Sequence, residues 1–316
     1  MAKTALLIDS TTIMPRDVLQ GYEVTVMPVP IYADGTEYRD GVDITDEEFM
    51  SFLEKLPQRP STAVPGLGEF QSFYSQLWRD HQAIIYPTPS HRLTGLYDAA
   101  IQAAEQMEGV SIVAVDPPDA WEKDAYVIRS DDPRLKERLG DLALLEPPVL
   151  IVMNTGFASG ASGLTAMAAL AGSAEIKPVQ EAVSSMITTK RGTNIYFILN
   201  TLDYIVDRAG HLSVFLGTLL RIKPVLTFRD GSLEDVARVR GKAKAKTKII
   251  ELLKNAAGER AVDLYVLHSL AEDEAQQMLE QAKAVLNIRN AWVDGIGASV
   301  SRYTGRGGLG VAFTMV

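Results

Sequence analysis

The sequence predicts an α/β protein of two domains, an N-terminal layer domain on a parallel sheet and a C-terminal α/β domain. Short apolar runs alternate with amphipathic stretches through the first half, the pattern of a parallel sheet covered on both faces. The chain of 316 residues is long enough for two ordinary cores. A polar, glycine-containing stretch, "TTKRGTN", begins at Thr188 and separates this half from one with a different rhythm. The expected domains are residues 1–188 and 189–316.

"TALLIDS" reads as a buried strand ending at Asp9-Ser10. "YEVTVMPVPIYADG" reads as one further strand with a turn at Ala33-Asp34-Gly35. "ITDEEFMSFLEKL" carries a Thr45 cap, early acids and helical apolar spacing. "GEFQSFYSQLWRD" is a second helix, "QAIIYPTPS" a strand, and "LTGLYDAAIQAAEQM" a third helix starting near Thr94. "VSIVAVD" and "PVLIVMNT" are further strands. From Gly163 to Lys190 the chain reads as helical, with breaks near Gly172 and at Pro178. Beyond it strand-like and helical pieces alternate, and "RDGS" is a hairpin turn.

Bulk properties narrow the function. The net charge is −9, and the single basic run, "RVRGKAKAKTK", has the spacing of a solvated helix face, so no nucleic-acid partner is expected. The absence of cysteine removes disulfides and thiolate chemistry. No apolar run reaches the ~18 residues of a membrane span. The N-terminal run meets Asp9 too soon for a signal peptide, and a cytoplasmic location is expected.

There is no G-x-S-x-G elbow, and the four histidines, His81, His91, His211 and His268, lack zinc spacing, so no metal is expected. "GFASGASG" lacks the Lys-Ser/Thr of a phosphate loop. "GRGGLG" lies too near the C-terminus, outside a first βαβ unit, for dinucleotide binding. His268 reads as a local hydrogen-bonding residue, and Asp9 as an acceptor that orients nearby hydroxyls. What remains is three polar loops after apolar runs: Asp9-Ser10, Thr62 to Gly68, and Thr88 to Gly95. Their hydroxyls, including Thr62, Thr88, Ser90 and Thr94, together with a helix start suit one carboxylate or phosphate. Each alone is better explained as an N-cap.

Several segments resemble one family in order along nearly the whole chain. "LLIDSTTIMP" is similar to the "IVTDSTADLP" of the DegV family, "TAVPGLGEF" to its "TSQPSPGEF", and "SHRLTGLYDAA" to its "SSKLSGTYQSA". "NTLDYIVDRAGHLS" resembles "DTLEYLKKGGRIS", and "YTGRGGLGVAF" resembles "HTGPGALGLAF". Residues 115–150 exceed the family pattern and are expected to be an insertion. The resemblance implies a lipid-binding, non-catalytic protein that holds a long-chain fatty acid in an apolar tunnel and presents it to a separate fatty-acid kinase. It implies no cofactor beyond that ligand, and at most transient membrane contact. By motif alignment Thr62 and Thr94 hold the carboxylate, with Asp9, Ser10, Ser90, His91, His211 and Tyr303 as headgroup neighbours. Two positions depart from the pattern: His211 stands where the family has Arg, and Tyr303 where it has His. Arg92, Arg208, Arg302 and Arg306 are candidates to supply the missing charge. A divergent lipid reservoir or sensor without a kinase is the alternative reading. An acyl hydrolase using Asp9, Ser10 or His91 is a third, which no triad spacing supports.

Overall fold

The computed structural model describes residues 3–119, 125–172, 174–200 and 222–316. In chain order, β1 (Thr4–Asp9) is followed by α1 (Arg16–Gly21), β2 (Val24–Met27), β3 (Pro30–Ala33), β4 (Thr36–Arg39), α2 (Asp46–Lys55), β5 (Ser61–Thr62) and α3 (Leu67–Leu77). Next come β6 (Ala83–Thr88), α4 (Leu96–Glu105), β7 (Ser111–Val115), β8 (Tyr126–Ile128), α5 (Leu135–Asp141), β9 (Val149–Asn154), α6 (Ser159–Met167) and α7 (Val179–Gly192). The remainder is β10 (Thr193–Ile198), β11 (Ile222–Arg229), β12 (Ser232–Arg240), α8 (Lys242–Ala257), β13 (Ala261–His268), α9 (Glu272–Lys283), β14 (Asn287–Gly295), α10 (Ala298–Thr304) and β15 (Leu309–Met315).

The first sheet is parallel throughout, in the order β2-β1-β6-β9-β7-β8. Its strands are apolar on both faces, as a doubly covered sheet requires. Leu6, Ile8, Ile85 and Ile151 join one core, while Leu7, Ile84, Tyr86 and Val152 join the opposite one. The chain moves from β1 to β2 on one side and later to β6 on the other, so the strand order reverses at the β1/β6 boundary. Loops at such a boundary leave a crevice beyond the strand ends. The β1–β6 ladder stops at Leu6↔Ile85, and two residues on Pro87 has no N–H to extend it.

The second sheet, β12-β11-β10-β15-β13-β14, is mixed: β13 and β14 run parallel and the other pairs antiparallel. Its residues alternate between faces, with register shifts at Val225/Leu226 and Val262/Asp263. Val262, Leu264, Val266, Val311 and Phe313 pack with α8 and α9, whereas Tyr265, Leu267 and Ala312 face α6. Helix α6 therefore lies between the two sheets. Two glycines let it approach so closely. A Cβ at Gly163 would sit 1.8 Å from the Ile13 carbonyl oxygen, and one at Gly160 would stand 2.5 Å from the Leu267 side chain.

Two local expectations change, at the second predicted strand and at the start of α6. "YEVTVMPVPIYADG" is two strands in different sheets, because Pro28 and Pro30 remove ladder donors between them. Its second half forms, with β4 and β5, a three-stranded sheet of order β4-β3-β5, turning at Asp34 and Gly35, both with positive φ. The segment 115–150 supplies edge strand β8 and helix α5, and none of its described residues lines the cavity described below. "GFASGASG" runs into α6, which begins at Ser159, earlier than the apolar periodicity indicated. Residue 188, expected as the domain change, falls inside α7, which leads directly into the first strand of the second sheet.

Other readings hold. Thr45 and Glu48 form a reciprocal capping box. "RDGS" turns a hairpin at Asp230 and Gly231 with φ of 48° and 76°. The basic run is a helix face only in part: Arg238 and Arg240 end β12, and in α8 Lys242 and Lys246 both pair with Glu274. Among the described residues no helix is long and apolar enough to cross a membrane.

Candidate ligand site

An apolar cavity of about 250 Å³ lies between the sheets. The first sheet contributes the loops after its central strands: Thr11 follows β1, Pro89 and Leu93 to Leu96 follow β6, and Ala158 and Ser159 follow β9. The second contributes Ile195, Phe197, Phe228, Leu233 and Leu267 from its α6-facing side. Helix α10 adds Ser299, Val300, Tyr303 and Thr304, and β5 with the residues after it adds Thr62, Ala63 and Val64. None of these lining residues carries a charge.

The small sheet positions one polar corner. Strand β5 pairs with β3 at Ile31↔Thr62, which fixes the Thr62 hydroxyl. At the other end of the same sheet, Asp40 accepts hydrogen bonds from the N–H groups of Ala298 (3.2 Å) and Ser299 (3.4 Å) and from the Ser299 hydroxyl. This carboxylate caps α10 and sets the helix that carries Tyr303. The Tyr303 hydroxyl then lies 3.1 Å from Thr62 Oγ1. The Arg302 guanidinium sits 4.8 Å from the Tyr303 ring centroid, and its Nε donates to the Pro60 carbonyl at 2.9 Å. Burial raises the pKa of Asp40, while hydrogen bonds from Ser299 and Ser10 oppose the rise. Asp46, also raised by burial and by the neighbouring Asp40, accepts from the Gly297 N–H.

Thr94 lines the same cavity and is not an N-cap: α4 starts at Leu96 after Gly95, without a side-chain cap. The Thr62 and Thr94 segments, far apart in sequence, thus border one space, as does the loop after β1. In that loop it is Thr11, rather than Asp9 or Ser10, that reaches the cavity wall. Asp9 is fully buried and accepts from the Thr11 N–H at 2.9 Å, the Thr11 hydroxyl and the Tyr86 hydroxyl at 3.1 Å. Burial raises its pKa, partly offset by these bonds. It shapes the loop, which matches its expected role of orienting hydroxyls. Ser10 Oγ accepts from the Val29 N–H at 3.0 Å.

Ser90 and His91 do not line the cavity. The Ser90 hydroxyl donates to the Gly231 carbonyl at 2.8 Å, tying the loop after β6 to the β11–β12 turn. His91 Nδ1 lies 2.8 Å from Asn154 Nδ2, and Asn154 also donates to the Asp116 carbonyl. Desolvation and the nearby Arg92 lower the His91 pKa. His211 and Arg208 lie outside the described residues. Arg306 pairs with Glu54 at 2.8 Å, and neither it, Arg92 nor Arg302 lines the cavity. His268 accepts from the Ala271 N–H at 3.3 Å, the local role expected of it. Sequence reasoning passed over Thr11, Ser159, Ser299 and Thr304. The "DSTT" run after β1 signalled Thr11; nothing in the periodicity distinguished the others. Among the described residues no group of three or more His, Asp or Glu is placed to hold a metal ion.

These features define an α/β protein with a mostly apolar cavity between its two large sheets, edged by hydroxyls and without a charged side chain among the described lining residues. The chain belongs to the DegV family, whose sequence model, described as uncharacterised protein, DegV family, matches residues 3–315. A DegV domain-containing protein of Clostridium acetobutylicum is 26% identical over 315 residues, covering 98% of each chain. Among solved structures, a DegV family protein from Thermus thermophilus, described as fatty-acid binding, superposes with a TM-score of 0.80 at 24% identity, covering 99% of this chain and 100% of that one. DegV of Bacillus subtilis, described as a fatty acid binding protein, gives 0.75 at 20% identity with 100% of both chains covered.

Proposed function

We propose that this protein binds a long-chain fatty acid, with the acyl chain in the inter-sheet cavity and the carboxylate at Thr62, Thr94 and Tyr303. The observation that carries this reading is the contrast within one cavity: a wall that is apolar and uncharged among the described residues, and a corner where Thr62 and Tyr303 hydroxyls meet at 3.1 Å. The fatty-acid-binding descriptions of its structural relatives support it. Burial of a chain of about sixteen carbons, at about 0.8 kcal/mol per CH₂, favours binding by on the order of 10 kcal/mol before ordering costs. Hydrogen bonds to the carboxylate add roughly 1.5–3 kcal/mol each. The chain therefore supplies most of the affinity and the hydroxyls fix its direction.

In this reading the protein acts without catalysing a reaction, in the cytoplasm, as a carrier that presents its fatty acid to a separate kinase for acyl-phosphate formation. Its first domain ends near residue 188 and its second runs from 189 to 316. Tyr303 also supports a second reading, a reservoir or sensor with no kinase. A phenol keeps a hydrogen-bond donor where the family pattern has His but brings no positive charge.

Denaturing extraction of purified protein followed by lipid mass spectrometry tests the ligand class. One fatty acid per chain is expected, lost in the Thr62→Ala/Thr94→Ala double variant. Full occupancy in that variant removes the headgroup assignment. Transfer of phosphate to protein-bound acid by a fatty-acid kinase separates carrier from reservoir.

A further inference from the structure

Ser159 combines three features. It lines the cavity, yet only 7% of its surface is exposed. Its Oγ is buried with no hydrogen-bond partner among the described residues. Its backbone is left-handed, with φ of 56°, a conformation that disfavours any residue with a Cβ. The backbone itself is well satisfied: the Ser159 N–H donates to the Thr11 carbonyl at 3.1 Å and its carbonyl accepts from the Ile13 N–H at 3.4 Å. The position is thus held rigidly by the loop after β1, while the one rotatable polar group on it has no hydrogen-bond partner among the described residues. It also opens α6, a nine-residue helix whose N-terminal end carries partial positive charge.

A buried hydroxyl without a partner is unfavourable, and at the wall of an apolar cavity the occupant is the group beside it that can satisfy it. A plain hydrocarbon segment offers nothing to bond. We propose that Ser159 is a second polar contact for the ligand, and that the cavity prefers an acyl chain bearing a hydroxyl along its length to the unsubstituted chain. The inference rests on the fatty-acid reading above and adds specificity to it. Thr62 and Thr94 come from other loops and serve the carboxylate; Ser159, on α6 between the sheets, addresses the chain.

The test is competition binding on delipidated protein, using stearic acid and a positional series of monohydroxystearic acids. Wild-type protein is expected to bind stearic acid and to bind at least one hydroxylated isomer about tenfold more tightly, the scale of one well-made buried hydrogen bond. In Ser159→Ala that ratio falls to about one. Ser159→Gly gives the same result and suits the left-handed backbone, so a folding defect in the alanine variant leaves the test intact. Stearic acid binding with no isomer preferred overturns this proposal and leaves the fatty-acid reading standing. A preference that survives in both variants also overturns it. Failure of wild-type protein to bind any of the acids overturns both.

Discussion

Thr62 Oγ1 and the Tyr303 hydroxyl meet at 3.1 Å although the residues lie 241 positions apart. One is placed by a two-residue strand of the small sheet, the other by a short helix between β14 and β15 of the second. The pair makes the polar corner of the cavity depend on how the two halves of the chain dock.

Tyr303→Phe keeps the ring beneath Arg302 and removes only the hydroxyl. Fatty-acid affinity is expected to fall roughly threefold to tenfold, the worth of one hydrogen bond. The thermal unfolding midpoint should change little. Combined with Thr62→Ala, the losses should add to less than their sum, because the two groups contact each other. Additive losses in a binding cycle would show that they act separately.

Gly163→Ala should be severe. The new Cβ would meet the Ile13 backbone oxygen, which cannot rotate away as a side chain tip would. Overpacking of this kind costs about 1–3 kcal/mol and sometimes more, and here it would push α6 from the loop that ends β1. Denaturant unfolding should show the loss, whereas Gly172→Ala, with open space around it, should be mild.

Asp40→Ala leaves two N–H groups at the start of α10 and the Ser299 hydroxyl without their acceptor. A loss of about 3 kcal/mol is expected in equilibrium unfolding. Ligand affinity should fall with it, since α10 carries Tyr303. Asp40→Asn retains one acceptor oxygen and should recover part of both.

His268 sets an acid sensitivity. Burial lowers its pKa below the usual 6.5, and its neutral Nδ1 accepts the N–H of Ala271 at the start of α9. Between that lowered value and 6.5 the unfolded chain binds the proton and the folded chain does not. Stability from this group is therefore full above about pH 6.5 and is lost as pH falls toward the folded pKa. His268→Gln should flatten that part of the stability–pH curve measured by denaturant titration. An unchanged slope would assign the sensitivity to other groups.

Much of the architecture was legible before any coordinates. Runs such as "TALLID" and "VLIVMN" are apolar at every position because the parallel sheet buries both faces, so continuity marked them as strands. The Thr45 box, the "RDGS" turn and the Pro178 break are encoded in neighbours three residues apart or less, where local chemistry decides the outcome. The proline-split strand at Pro28 was harder, since its two halves keep the same alternation and differ only in which sheet receives them.

Residue types and short-range spacing by themselves determined the strands, most helices and the hydroxyl-bearing loops of Thr62 and Thr94, while the family resemblance singled out Tyr303 and assigned the carboxylate. Only the tertiary structure decided which hydroxyls face a common space. Ser90 and Thr94 sit four residues apart in one polar loop, yet one ties down the β11–β12 turn and the other lines the cavity. Ser159 emerged as a lining residue only once α6 was seen wedged between the sheets. Burial and partnering are set by what packs against a side chain, and for these residues those neighbours come from the far half of the chain, where no local pattern reports them.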